Sequence, residues 1–174
     1  MKETLEIINQ MQRDGIVGAY AIGGAVGATF HLEPVATLDI DVFVSFTSTQ
    51  NGALISLSPL YDYLGKLGCE ARGEYIVIAG WPVQFLPPSD ALAEEALAAA
   101  ISTDVDGVPT RVMSAEHLVA LALQLGRAKD HARIVQFCET DVLRYEILED
   151  ILRRHKLDDK WDRFKKRFMM ENDV

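Results

Sequence analysis

Over residues 3–13 the apolar positions Leu5, Ile8 and Met11, with Ile7 beside them, recur at helical spacing, and "RDG" stops that helix with Gly15 at its C-cap. "GAYAI" reads as a short buried strand ending at Gly23-Gly24, and "AVGATFHLE" as a helix that opens at the glycines and stops before Pro34. The clearest strand is "TLDIDVFVSF". Its alternation sends Leu38, Ile40 and Val42 to one face and both Asp39 and Asp41 to the other. Polar residues 47–52 form a loop. Leu57, Leu60, Tyr61, Leu64 and Leu67 then mark a helix ending near Gly68.

"EYIVIAG" and "PVQFLPP" are two adjacent strands turning at Gly80 and closed by Pro87-Pro88. An alanine-rich helix occupies about 90–101, and "TDVDGVPTRV" is a hairpin with Asp106-Gly107 in its tight turn. Helices fill the remainder, at about 114–126, 129–139, 142–155 and 159–170. The fold class is therefore α+β, a mixed β-sheet flanked by helices over residues 1–112, followed by a helical C-terminal region over 113–174.

Composition narrows the chemistry. With 174 residues, 49% of them hydrophobic, the chain holds enough apolar material for a core. No apolar run reaches the length of a membrane span, "MKETLEIINQ" lacks a signal-peptide pattern, and Cys69 and Cys138 are too few for a disulfide framework or a zinc site. These features point to a cytoplasmic protein with two buried thiols. The net charge of −9 disfavours broad nucleic-acid binding, but residues 1–150 carry 9 Lys/Arg against 21 Asp/Glu while 151–174 carry 8 against 5.

The glycines of "IGGAVG" follow a strand and open a helix, yet the G-x-G-x-x-G spacing of a dinucleotide site is absent. A glycine turn at that place still lets backbone N–H groups approach a phosphate. The order strand, Gly-Gly, helix, then a strand with Asp-x-Asp resembles the nucleotidyltransferase superfamily of polymerase-beta-like fold, and is most similar to minimal and AbiEii-type members. The resemblance covers roughly residues 1–140. It implies that Gly23 and Gly24 hold the phosphates of an NTP, that Thr37 matches a threonine before the acidic pair, and that Asp39 and Asp41 bind Mg²⁺ or Mn²⁺. "LVALALQLGRAKD" resembles a helical segment of AbiEii-like members and aligns Arg127, Lys129 and Asp130 with nucleotide-binding positions.

The activity so implied is metal-dependent transfer of a nucleoside monophosphate from an NTP to a hydroxyl of a protein, RNA or small molecule, with a place in a toxin–antitoxin or defence system as one setting. Two same-face carboxylates suit paired divalent ions that neutralise a triphosphate and activate the attacking hydroxyl. The pattern departs at two positions. Where the family carries a third catalytic carboxylate, "WPVQFLPP" offers Gln84, a neutral carbonyl oxygen that cannot act as a general base, with Glu74 on the preceding strand as a substitute if the fold brings it near. In "KDHARI", Arg133 stands where a second aspartate is common. Two readings remain: an active transferase, or a degenerate relative that binds a nucleotide or partner through the same cleft.

Other candidates read as structure. Asp104 and Asp106 belong to the hairpin turn, Ser114 is a helix N-cap, and His31, His117, His131 and His155 show no metal-ligand spacing. In the last helix Trp161, Phe164 and Phe168 share one face while Lys160, Arg163, Lys165, Lys166 and Arg167 spread around the others. That basic surface suits solvent, RNA, a nucleotide or an acidic partner. The acidic body of a second copy is one such partner.

Overall fold

The computed structural model describes residues 1–33, 39–46 and 56–169. Thr37, Leu38 and the 47–52 loop lie outside the described residues. The elements run α1 (Lys2–Arg13), β1 (Tyr20–Ile22), α2 (Gly24–Ala28), β2 (Ile40–Val44), α3 (Ser58–Lys66), β3 (Glu70–Arg72), β4 (Tyr75–Ile78) and β5 (Trp81–Leu86). They continue with α4 (Ala91–Ala98), β6 (Ile101–Val105), β7 (Val108–Val112), α5 (Ala115–Leu125), α6 (Ala128–Cys138), α7 (Tyr145–Arg154) and α8 (Asp158–Phe168). The expected α+β architecture is what the chain adopts.

Among the described residues the strands form one mixed sheet in the order β3-β4-β5-β2-β1-β7-β6. β2 pairs antiparallel with β1 and parallel with β5, and β1 pairs parallel with β7. At its centre, in β1 and β2, the sheet is covered on both faces, and alternation decides which side chain enters which core. Tyr20, Ile22, Ile40, Val42 and Val44 join Leu5, Ile8, Leu60 and Leu64 from α1 and α3. On the opposite face, Ala21 joins Leu118, Val119 and Leu123 of α5 with residues of α4, α6, α7 and α8, and Phe43 packs against this second cluster. Burying each large aliphatic side chain of β2 contributes about 1.5–3 kcal/mol, enough to hold a strand that also carries a half-buried carboxylate.

Two local devices aim the second face. Ser114 caps α5, its hydroxyl accepting the His117 N–H at 3.3 Å. Gly126 ends the same helix at φ +69, with its N–H bonded to the Ala122 carbonyl, so α6 can start at once in a new direction. Buried polar groups near these turns are paired. Glu116, 1% exposed, accepts Arg144 Nε at 2.9 Å, and Glu95 of α4 meets His117 of α5 together with Arg154 and His155 at the end of α7.

Three details depart from the sequence reading. The helix after the glycines ends at Ala28 rather than before Pro34, because the Thr29 hydroxyl bonds the Val26 carbonyl at 2.7 Å and the chain tightens into a turn. A short strand, Glu70–Arg72, adds an edge that had no apolar alternation to announce it. Cys69 and Cys138 are free thiols but only half-buried. No described helix is long and apolar enough to cross a membrane.

Candidate active site

Ile40, Val42 and Val44 turn into the α1–α3 core, which leaves Asp41 on the face that carries the C-terminal helices. Asp39 lies one residue before the strand begins, and its charge acts on Asp41. On the adjacent parallel strand Gln84 is the register partner of Asp41, with its neighbours Val83 and Phe85 buried on the other side. Alternation therefore places the amide where the resemblance implied a third carboxylate. The Gln84 amide is not idle: Nε2 donates to Glu74 Oε2 at 3.2 Å, so the β3–β4 turn does bring Glu74 to this strand. Tyr75, next to Glu74, has its phenol pushed above the usual range, first by Asp39, then by burial, Glu74 and Asp41. All three carboxylates thus act electrostatically on one ring.

The glycine turn closes over Asp41. The Gly23 N–H donates to the Asp41 carbonyl at 2.9 Å. Gly24 has φ +56, and a Cβ added there would meet Asp41 Oδ2 at 1.8 Å. At Gly23 an added Cβ would meet the Phe43 ring at 2.7 Å. Only glycine lets this turn lie so close to the acidic strand.

α6 supplies the opposite charge. Burial and the repulsion of Asp39 push the Asp41 carboxyl above the ordinary carboxylate range, while Arg133, Lys129 and Arg127 pull it back. Lys129 and Arg133 are four residues apart and share a helix face. Arg127 precedes the helix and is held by Asp130, which is 1% exposed, through Nε–Oδ2 at 2.7 Å and Nη2–Oδ1 at 3.2 Å. The Arg127 amide also donates to Asp130 Oδ2 at 3.1 Å. Burial pushes the Asp130 carboxyl up, but these bonds outweigh it and the carboxyl lies below its ordinary value. Asp130 thereby fixes the direction of Arg127.

Of the residues singled out from sequence, Gly23, Gly24, Asp39, Asp41, Gln84, Arg127, Lys129 and Asp130 come together here. Arg133, marked in the sequence only as a departure from the family pattern, acts on Asp41 here, and Tyr75 is an addition. The i+4 spacing from Lys129 and the alternation of β4 were the signals available for them.

Three solved structures share this arrangement of strands and helices. The solution structure of the antibiotic-resistance factor ANT(2'')-Ia matches with a TM-score of 0.51 at 16% identity, covering 96% of this chain and 98% of that one. A crystal structure of an antigenic nucleotidyltransferase-like protein from Paracoccidioides brasiliensis matches with a TM-score of 0.57 at 14% identity, over 94% and 92%. The fold is nucleotidyltransferase-like. ANT(2'')-Ia in complex with adenylyl-2''-tobramycin gives a TM-score of 0.53 at 16% identity, over 90% and 98%. No protein-family model and no curated protein sequence matches the chain.

The nucleotidyltransferase-like fold implies a divalent cation, and the donor set answers to one in part. Asp39, Asp41 and the Gln84 carbonyl are hard oxygen donors, as Mg²⁺ and Mn²⁺ prefer. Among the described residues no group of three or more His, Cys, Asp or Glu side chains is gathered as a metal cage. Asp39 and Asp41 are the carboxylates that would hold such an ion, with substrate phosphates and water completing its shell.

Proposed function

We propose that this chain is a cytoplasmic nucleotidyltransferase that moves a nucleoside monophosphate from an NTP to a hydroxyl acceptor. One observation carries the reading: Asp41, with Asp39 acting on it, lies directly under the Gly23-Gly24 turn and within electrostatic reach of Arg133, Lys129 and Arg127. A triphosphate needs such a combination of bare backbone and cations on one side and carboxylates on the other. In this reading the glycine turn admits the phosphates, Lys129 and Arg133 hold them, and Asp130 acts through Arg127. Asp39 and Asp41 would hold Mg²⁺ or Mn²⁺, which when bound would supply charge neutralisation at the transferring phosphoryl group and activation of the acceptor hydroxyl. The neighbours include a complex with adenylyl-2''-tobramycin, which favours AMP as the transferred group. The AbiEii-type resemblance adds a toxin–antitoxin or defence setting.

A second reading has its own observation. Gln84, in register with Asp41, is neutral, and its amide is spent on Glu74. That suits a module that binds an NTP without transferring it. Incubation with each α-labelled NTP and Mg²⁺ or Mn²⁺, with tobramycin, total RNA or lysate protein as acceptor, separates the readings. Label on any acceptor supports transfer, binding without label supports the module, and neither binding nor label removes both.

A further inference from the structure

The basic and aromatic face of α8 is not used by the site just described, and it does not lie flat against solvent. Together with the end of α5 and the start of α6 it encloses a groove of about 430 Å³. Lys160, Arg163 and Arg167 stand along it at helical spacing, and Leu125 and Phe168 supply its apolar wall. Leu125 is 60% exposed, the most exposed large apolar side chain among the described residues. Arg163 has no ion-pair partner among them, and Lys160 uses one of its three donors, on the Gln124 carbonyl at 2.8 Å. The groove includes Gly126, one residue from Arg127 and so from the Asp41 site.

We infer that this groove docks an acidic polypeptide segment of a partner protein, one that places an aliphatic side chain against Leu125 and carboxylates on Lys160, Arg163 and Arg167. Charge complementarity requires an anion, which excludes polyamine ligands. A simple phosphate has no use for Leu125. Single-stranded RNA binds by stacking bases on free aromatic faces. Here Phe164 is 3% exposed, and the Phe168 ring lies against His131 at 5.2 Å and Arg167 at 5.0 Å, so neither presents a free face. The chain's charge of −9 also opposes a polyanion but leaves a local cationic groove open to a short acidic segment. An amphipathic segment with aliphatic anchors uses both parts of the wall. A segment seated there can also present a serine, threonine or tyrosine hydroxyl toward Arg127. That last step rests on the proposed transferase reading, whereas the docking does not.

The test uses the whole chain and a short fluorescein-labelled peptide of glutamate and leucine, read by anisotropy at low and high salt. Matched probes are a lysine–leucine peptide and a single-stranded RNA. The expected result is binding of the acidic peptide that salt weakens, with no binding of the basic peptide and no displacement by RNA. The exposed-site variants Arg163→Glu/Arg167→Glu weaken it roughly tenfold or more. Leu125→Asp weakens it as well, with circular dichroism confirming that both variants stay folded. No binding by wild type, displacement by RNA, or indifference to both variants overturns the proposal, as does loss of a self-associated state in the Arg163→Glu/Arg167→Glu variant without any peptide binding. ATP binding is titrated in parallel. Peptide bound without ATP keeps the groove and removes the transferase reading, while ATP bound without peptide removes the groove alone.

Discussion

The contact between the glycine turn and the acidic strand makes a quantitative demand. Alanine at position 24 meets two costs. At φ +56 a Cβ is strained, worth about 1–2 kcal/mol in the left-handed region. That Cβ would also stand 1.8 Å from Asp41 Oδ2 and 2.8 Å from its Cγ, so the carboxylate must leave its rotamer or the turn must lift. Overpacking of this kind costs about 1–3 kcal/mol. Gly24→Ala should therefore lose roughly 2–5 kcal/mol in urea unfolding, with an unchanged m-value. Removing the carboxylate separates the two parts. In an Asp41→Ala background only the backbone strain and a mild contact at the remaining Cβ persist, so Gly24→Ala should cost about 1–3 kcal/mol less there than in wild type. Simple additivity in this double-mutant cycle, or a Gly24→Ala protein as stable as wild type, would refute the packing of Asp41 beneath Gly24 and with it the glycine argument for the site.

The other expectations concern charge. Asp41→Asn should raise stability in the absence of metal, since the repulsion from Asp39 and the burial of a charge both disappear. It should also lose the Mg²⁺ or Mn²⁺ stabilisation expected of wild type, about 2.7 kcal/mol at a hundredfold excess over Kd, as thermal melts will show. Gln84→Asp puts a carboxylate beside Asp41 and near Glu74, so it should melt lower without metal and respond more strongly to Mn²⁺. Away from the site, burial raises the Glu116 carboxyl, but the bonds from Arg144 outweigh this and bring it down to about 2. Its folded value is depressed, so its stabilisation is complete above the ordinary 4.5 and fades as pH falls from there toward about 2. Glu116→Gln should cost roughly 2–3 kcal/mol at neutral pH, less than a fully buried pair because Arg144 is 66% exposed, and should flatten the acid limb of the stability curve.

The acidic strand was legible because its two faces differ in chemistry. Ile40, Val42 and Val44 are fully buried while Asp41 and Phe43 are not, which is the alternation that the sequence displays. The same logic placed Gln84 beside Asp41, since Val83 and Phe85 fix the face of β5. The β6–β7 hairpin was legible because Asp106 and Gly107 adopt the positive φ that Asp-Gly suits. Three things were hidden. The edge strand Glu70–Arg72 is exposed at every position, so no periodicity marks it. The Gln84–Glu74 contact spans ten residues across the β4–β5 hairpin and follows from its register, Ile76 opposite Val83, which reading two adjacent strands does not fix. The approach of α6 to Asp41 depends on the direction set by Gly126, so the sequence could align Arg127 and Lys129 with a family pattern but could not show what they face.

Gln84 and Arg133 look like separate departures from the implied pattern, but the fold sets them around one carboxylate and they act in the same electrical direction. Replacing a carboxylate by Gln84 removes one negative charge, and replacing an aspartate by Arg133 adds two positive units to the same cleft. A site altered in this way depends less on a cation to become attractive to a triphosphate, because Lys129, Arg133 and Arg127 already oppose Asp41. Nucleotide binding and metal binding should therefore come apart in this protein. ATP titrated calorimetrically in the presence of EDTA should retain measurable affinity, and Arg133→Asp should abolish that metal-free affinity while making binding dependent on Mg²⁺. The exchange reverses the sign of the charge on the α6 face next to Lys129, so its effect on the metal-free triphosphate should exceed that of Arg133→Ala. If ATP binds wild type only when Mg²⁺ is present, the cations of α6 do not carry the phosphates and the metal at Asp39 and Asp41 does.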